Sequence, residues 1–343
     1  MQNDAYSRSL DVETFTNALL ACKLHIGRPV LLSVSGGLDS MVLWHLVRAA
    51  AVPHAVAHVN FELRGDNSDA DAELVRATAQ TYGVPCHVFR APLAASIPVG
   101  AEAAAPPAKM KSVQARARAA RVRLTSALAV ELDGVPILLA HHADDQAETL
   151  LMRMSRGTGG AGLAGMAPAS PPFYRPLLGF TRAQVAAYAK THDVAFRHDR
   201  SNDTDDYTRN ALRHHVLPAL RTVEPRTVSG LAKTARQQAD LVAFAEAAAE
   251  TALASSVLAK APSESSHPNG IGPVYDRSAL ARTPGGSTLL YFWLHPLGYR
   301  SAQITTLAAW VGDGEVRRRR MVHPRDAEAV AVAGGRVYRE RLP

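Results

Sequence analysis

Cysteine is almost missing from this chain: its 343 residues include two, Cys22 and Cys86, far apart in sequence. That excludes a disulfide framework and any Cys-x-x-Cys metal or redox site. Long apolar runs are also missing, with no stretch of 18 consecutive apolar residues, so no membrane-spanning helix is expected. Met1 to Leu10 contain Asp4 and no apolar core, unlike a secretory signal. A cytoplasmic location away from membranes is the expectation. No glycine-rich turn ends in Gly-Lys-Ser/Thr, which excludes a Walker A loop. No internal repeat is visible.

What is present suits a globular protein of about two domains, 47% hydrophobic and 20% charged. A net charge of +7 is compatible with a polyanionic partner without specifying one. The chain is organised around residues 30–46. Val30 to Val34 is a short apolar run that reads as a buried strand, and Met41 to Leu46 has apolar residues at helical spacing. Between them lies Ser35-Gly36-Gly37-Leu38-Asp39-Ser40. Two glycines that can take φ > 0 would let a ligand approach the backbone. The free N–H groups of the helix start favour an anion, and Asp39 adds a carboxylate able to face a phosphate-bound metal. The turn reads as a pyrophosphate site; the plainer alternative is a strand-to-helix turn capped by Asp39 or Ser40.

Further strands are expected at Ala55–Val59, Val84–Phe89 and Val135–Ala140, alternating with helices at Val12–Leu24, Asp69–Tyr82 (capped by Ser68) and Gln114–Leu132. Residues 92–109 read as an Ala/Pro-rich loop. This alternation predicts an α/β fold, a Rossmann-like parallel sheet wound by right-handed crossovers with helices on both faces. Ligands of such sheets bind beyond the carboxyl ends of the strands. Three strands end in polar clusters: Ser35–Ser40, His58 to Arg64, and His141 to Thr149. If a helix begins near Ala143, then His141, Asp145 and Glu148 share one side. They could ligate a divalent metal, or hold a cationic substrate with His141 as base.

A glycine-rich loop, Arg156 to Met166, reads as a flexible binding loop or lid. Thr181–Thr191 reads as a helix. Arg209 could grip phosphate or carboxylate bidentately. Beyond residue 222 come Ala-rich helices over Thr227–Leu258, a linker at 261–273, and a small unit. That unit is expected to hold helices at 286–294 and 302–310, with strands at 329–332 and 336–338. Between Arg317 and Arg341 lie eight arginines against three acids, Arg317-Arg318-Arg319-Arg320 among them. Such a cluster reads as a phosphate-binding face for RNA, or alternatively as a solvated charged hairpin. The expected domains are 1–222 and 223–343.

Ser35 to Ser40 is similar to the signature of the N-type ATP pyrophosphatases, the PP-loop family. Within it, His58-Val59-Asn60-x-x-Leu63-Arg64, Ala117-Arg118-x-x-Arg121, His141 to Thr149, the glycine-rich loop, Asn202 and Arg209-Asn210 resemble the tRNA(Ile)-lysidine synthetases. The resemblance covers about residues 28–220, and longer members carry a further C-terminal domain. It implies a ligase that uses ATP and Mg²⁺ to join L-lysine to C2 of the wobble cytidine in a CAU-anticodon tRNA(Ile), releasing AMP and pyrophosphate; a homodimer is plausible. It further implies ATP at Ser35, Gly36, Gly37, Leu38, Asp39 and Ser40, with Asp39 near Mg²⁺ and Arg118 offsetting phosphate charge. His58 and Asn60 would lie beside adenine and ribose. Asp145 and Glu148 would bind the lysine ammonium, Arg209 its carboxylate or the activated nucleotide, and His141 would take a proton. Arg317, Arg318, Arg319 and Arg320 would meet tRNA. Two other readings stay open: a PP-loop tRNA thiolase, for which Cys22 and Cys86 are poorly placed, and a non-catalytic ATP-binding module.

Overall fold

The computed structural model describes residues 9–62, 66–92, 113–197, 208–259, 270–283, 285–313, 315–316 and 318–342. Leu63, Arg64, Asn202, Arg317 and most of the expected Ala/Pro-rich loop lie outside these residues. The chain forms two compact units, Met1–Ala239 and Asp240–Pro343.

In the first unit, helix α1 (Val12–Ala21) precedes strand β1 (Val30–Ser33) and α2 (Leu38–Ala49). Then follow β2 (His54–Asn60), α3 (Asp66–Tyr82), β3 (Cys86–Arg90), α4 (Val113–Glu131) and β4 (Ile137–Leu138). Next come α5 (Ala143–Ser155), α6 (Gly160–Leu163), β5 (Ala169–Ser170), β6 (Phe173–Tyr174), a 3-10 turn (Pro176–Gly179) and α7 (Arg182–Thr191). The unit closes with α8 (Thr208–Ala211), a wider π turn (Leu212–Val216), α9 (Leu217–Val223) and the start of α10 (Thr227–Ser255). The strands order as β3-β2-β1-β4-β6-β5, parallel except for β5 against β6. The carboxyl ends of β1, β2 and β4 therefore share one edge, where polar clusters were expected.

Alternation along the strands divides the core. Val30, Leu32, Val56 and Leu138 pack with the fully buried Trp44 and Phe15 on one face. Leu31, Ala57 and Ile137 pack against Leu128 and Ala129 of α4 on the other. Both faces thus carry helices, as a parallel sheet requires.

Several local expectations are corrected. Ser68 lies inside α3, which begins at Asp66, so it is no cap. The fourth strand shrinks to two residues. Strands β5 and β6, too short to carry a periodic signal, extend the sheet past β4. The glycine-rich loop is pinned rather than loose: Arg153 NH1 donates to Gly162 O (2.8 Å) and Gly165 O (2.9 Å), and Met166 N–H donates to Gln146 Oε1 (2.7 Å). The unit division falls within α10 rather than at 222. Val228 and Ala232 explain this, since they pack with Ala143, Ala147 and Leu217 of the first unit.

In the second unit, β7 (Val257–Ala259), β8 (Gly270–Asp276), α11 (Arg277–Arg282), α12 (Gly286–Leu294), α13 (Ser301–Gly312), β9 (Arg318–Val322), β10 (Glu328–Ala333) and β11 (Arg336–Arg341) follow α10. The antiparallel sheet orders as β7-β8-β11-β10-β9. Leu290, Leu294 and Leu307 pack on Val330, Val332 and Val337. Buried Arg277 closes the end of α13 by donating to Trp310 O (2.8 Å), Val311 O (3.1 Å) and Val316 O (2.9 Å). Arg277→Met leaves these carbonyls without that donor and is expected to cost about 2–3 kcal/mol. Two of the three tryptophans, Trp293 and Trp310, lie in this unit, so tryptophan fluorescence in urea reads the shift. An unchanged midpoint would refute the role.

Candidate active site

The turn after β1 is tied by its own serines. Ser35 N–H donates to Ser40 Oγ (3.1 Å), and the Ser40 hydroxyl donates to Gly37 O (3.0 Å). Gly36 has φ +90°, and an added Cβ would meet Asp71 Cβ and O at 3.4 Å. Gly37 has an ordinary φ of −81°, so positive φ is needed at one glycine, not two. Gly37 starts α2 without a side-chain cap. The first N–H groups of the helix therefore have no capping acceptor and can receive an anion.

Ser35, Gly37, Leu38, Asp39 and Ser40 line one wall of a cavity of about 500 Å³. Gly36 is not among the lining residues. Ala117, Arg118 and Arg121 of α4 form a second wall; His141, Asp145, Arg209 and Arg213 complete it. Arg121 also lies over the Phe61 ring, 5.6 Å from its centroid.

Asp39 occupies the first turn of α2. Its Oδ1 is buried with no hydrogen-bond partner, and its Oδ2 stands 3.6 Å from His142 Nε2. A buried carboxylate oxygen lacking a donor is poised for a cation. Among the described residues, no cluster of three or more His, Cys, Asp or Glu could hold a metal alone. A Mg²⁺ taking one carboxylate plus phosphate oxygens fits this donor set.

His142 N-caps α5, its Nδ1 accepting from Asp145 N–H (3.4 Å) while Asp145 Oδ2 accepts from His142 N–H (2.9 Å). Burial opposes protonation of His142, but Asp145, Asp39 and Asp144 together raise its pKa. His141 behaves oppositely. Burial lowers it to about 4, with Arg175, Arg209 and Arg118 adding to the effect and Asp145 opposing it. Its Nδ1 is buried without a partner, so His141 presents an uncharged imidazole at neutral pH.

Glu148 is fully buried and bracketed by two guanidiniums. Arg209 Nε donates to its Oε2 (2.5 Å) and Arg213 Nε to its Oε1 (2.6 Å). Arg209 NH2 also donates to Asp145 Oδ1 (2.6 Å), with Arg213 NH2 3.5 Å from the same oxygen. Burial would raise the Asp145 carboxyl, but His142, Arg209 and His141 hold it below its ordinary value. Asp145 and Glu148 thus share one bracket of arginines, whereas His141 precedes the N-cap of α5 and lines the first cavity with Asp145. Arg213 was not singled out from sequence. It follows Arg209 by four residues and sits in the π turn, a geometry frequent at functional sites. Asp144, likewise unremarked, accepts from Arg182 N–H (2.7 Å) and pairs with Arg221.

A second cavity, about 900 Å³, lies behind this bracket and shares Leu38, Arg182 and Arg213 with the first. Asp144, Glu148 and Arg221 line it.

His58 and Asn60 do not line either cavity. Buried His58 Nδ1 contacts Val34 O (2.9 Å), joining the ends of β1 and β2. Asn60 donates to Asp69 Oδ1 (2.8 Å) and accepts from Glu62 N–H (2.9 Å). These bonds tie the ends of β1 and β2 to each other and to α3.

In the second unit, Arg318, Arg319 and Arg320 form edge strand β9. Strand alternation sends them to opposite faces, so they are no single face. Arg319 lies 5.7 Å over the Trp310 ring, and Arg320 pairs with buried Glu340.

Among the described residues, no helix is long and apolar enough to cross a membrane. A family model described as a PP-loop domain matches residues 11–220. A tRNA(Ile)-lysidine synthase from Bacteroides thetaiotaomicron is 31% identical over 281 residues, 81% of this chain and 60% of the relative. One from Geobacter sulfurreducens is 38% identical over 232 residues, 66% of this chain and 47% of the relative. One from Burkholderia pseudomallei is 34% identical over 328 residues, 91% of this chain and 60% of the relative. The chain thus spans about half to three-fifths of these curated relatives. Among solved structures, the U34-tRNA thiolase NcsA from Methanococcus maripaludis is similar with a TM-score of 0.48 and 15% identity, over 69% of this chain and 87% of that one. With the family model covering well over half of its length, this chain belongs to the PP-loop family of ATP-binding domains.

Proposed function

We propose that this chain ligates L-lysine to C2 of the wobble cytidine of CAU-anticodon tRNA(Ile), consuming ATP. The observation that carries this reading is a single sheet edge joining an uncapped helix start with Asp39 to the acid–arginine bracket of Asp145, Glu148, Arg209 and Arg213. The names of its relatives support it.

ATP would place its β and γ phosphates on the turn from Ser35 to Ser40, with Arg118 offsetting charge. Asp39 would hold Mg²⁺, which when bound neutralises phosphate oxygens. The cytosine O2 attacks the α-phosphate: an O–P bond forms, the bond to the bridging oxygen breaks, and pyrophosphate leaves. Adenylate on O2 is then a good leaving group. A lysine amine attacks C2, AMP departs, and the amine proton passes to a base. Uncharged His141 is our candidate for that base.

Lysine would approach through the second cavity, whose wall holds Asp144 and Glu148. Its ammonium competes with the guanidiniums for Asp145 and Glu148, and an Arg209 displaced from them is free to meet the lysine carboxylate. In the second unit, Arg317 to Arg320 would contribute sequence-blind phosphate contacts to tRNA. The thiolase alternative is weakened by both thiols: burial raises the pKa of Cys22 and of Cys86, and neither lines a described cavity.

Labelled lysine is expected to enter unmodified CAU-anticodon tRNA(Ile) in the presence of ATP and Mg²⁺. Tightly bound ATP with no lysine entering a folded sample would defeat the ligase reading and favour the non-catalytic module.

A further inference from the structure

The first and second cavities meet at Leu38, Arg182 and Arg213, which line both. Leu38 belongs to the phosphate turn and Arg213 to the acid bracket, which leaves Arg182 without a role. It is the first residue of α7, a helix that Thr181 caps by accepting from Gln184 N–H (3.3 Å). Asp144 Oδ2 accepts from the Arg182 backbone N–H (2.7 Å). The base of the side chain is therefore fixed against α5, whatever the guanidinium does.

Four arginines line the second cavity: Arg182, Arg213, Arg221 and Arg226. Three of them already face acids. Arg213 Nε donates to Glu148 Oε1 (2.6 Å), Arg221 pairs with Asp144, and Arg226 Nε stands 3.5 Å from Glu224 Oε1. Among the described residues no carboxylate pairs with the Arg182 guanidinium, since the bond to Asp144 is made by the backbone. Half-buried where two cavities join, it offers its whole fork of donors to an anion. That anion has to fit a wall that also holds Asp144 and Glu148. These acids repel a doubly charged phosphate more than a single carboxylate, and they attract ammonium groups. An amino acid, which carries both ammonium and carboxylate, matches such a mixed wall.

We propose that Arg182 binds the α-carboxylate of the incoming lysine and so selects an amino acid over a simple amine. This deepens the ligase reading above and rests on it. A lysine whose side-chain ammonium sits at Asp145 and Glu148 leaves its α-carbon towards the second cavity, by which it entered. Arg182 stands at that junction. Arg209 reaches a carboxylate only after leaving Asp145 and Glu148, to which it donates at 2.6 and 2.5 Å. Arg182 has no acid to leave.

Equilibrium binding of L-lysine and of L-lysinamide, whose carboxylate is replaced by a neutral amide, tests this on the full chain with ATP and Mg²⁺. The parent is expected to prefer lysine by roughly ten- to a hundredfold, the range for a hydrogen bond to a charged group. Arg182→Met should weaken lysine binding by that factor and leave lysinamide binding as it was, which erases the preference. Arg182→Lys should restore part of it, since the charge returns without the fork. The melting temperature should hold, because the backbone N–H that meets Asp144 survives both substitutions. No preference in the parent, or a preference kept in Arg182→Met, would overturn the proposal and return the carboxylate to Arg209. Equal weakening of both ligands would overturn it as well, leaving Arg182 to shape the cavity. So would weakened ATP binding with lysine binding unchanged, which assigns the guanidinium to a phosphate. A parent that binds lysine with the expected preference yet transfers none would spare this site and sink the ligase reading alone.

Discussion

Asp39→Asn is expected to lower tRNA-dependent pyrophosphate release on the order of a thousandfold, with the melting temperature kept within a few degrees. Asparagine has the shape of aspartate and can keep a contact to His142 Nε2, 3.6 Å away in the parent. What it lacks is charge at Oδ1, the buried oxygen that has no donor among the described residues. In the folded chain that oxygen is a cost, because a buried acceptor without a donor is unfavourable. Removing its charge relieves this cost, while the start of α2 loses a favourable helix-dipole term of about 0.3–1 kcal/mol. The two effects oppose, so stability moves little. Catalysis has no such offset, since an amide neither attracts Mg²⁺ nor balances charge that shifts onto pyrophosphate. Titrating Mg²⁺ separates the possibilities: recovery at high Mg²⁺ would make Asp39 chiefly a metal-affinity residue, and parental rates at ordinary Mg²⁺ would remove it from the reacting phosphates.

The first turn was legible because its signals are local: an apolar run, a Gly-Gly turn, and an acid at the helix start. The same holds for Asp145 and Glu148, three apart on α5 and so on one side; His141 precedes the N-cap and owes its place to the end of β4 instead. Arg213 was missed for a different reason. It meets Glu148 across 65 residues of chain, and no periodicity reports such a pairing. For His58 and Asn60, a strand end gave the location but not the direction of the side chain, and their partners turned out to be Val34 O and Asp69. For the arginines of β9, alternation along the strand turns Arg318 and Arg320 to one face and Arg319 to the other, which a run of like residues does not announce. The division inside α10 is hidden because the helix is Ala-rich on both sides of it, and only the packing of Val228 and Ala232 tells the two parts apart.

Glu148→Gln is expected to destabilise the protein by about 3 kcal/mol, as removal of one partner from a buried ion pair does. For a unit of this size that is roughly 6–12 °C in melting temperature. The parent carboxylate accepts from Arg209 Nε and Arg213 Nε, one on each oxygen. A glutamine amide offers one acceptor and turns its N–H groups towards the other guanidinium. That arginine is left charged and mostly buried, with Asp145 as its remaining acid. Arg213→Met in the same chain removes the stranded charge, so the double variant should be more stable than the sum of the single changes implies. Lysine transfer should stay lost in both, because Glu148 is assigned to the incoming ammonium and neither substitution supplies a carboxylate there. Melting curves and lysine incorporation on the three variants decide between two uses of the residue. If transfer returned with stability in the double variant, Glu148 would serve only to hold the arginines. If Glu148→Gln alone melted like the parent, the bracket would not be holding α5 to the π turn at all.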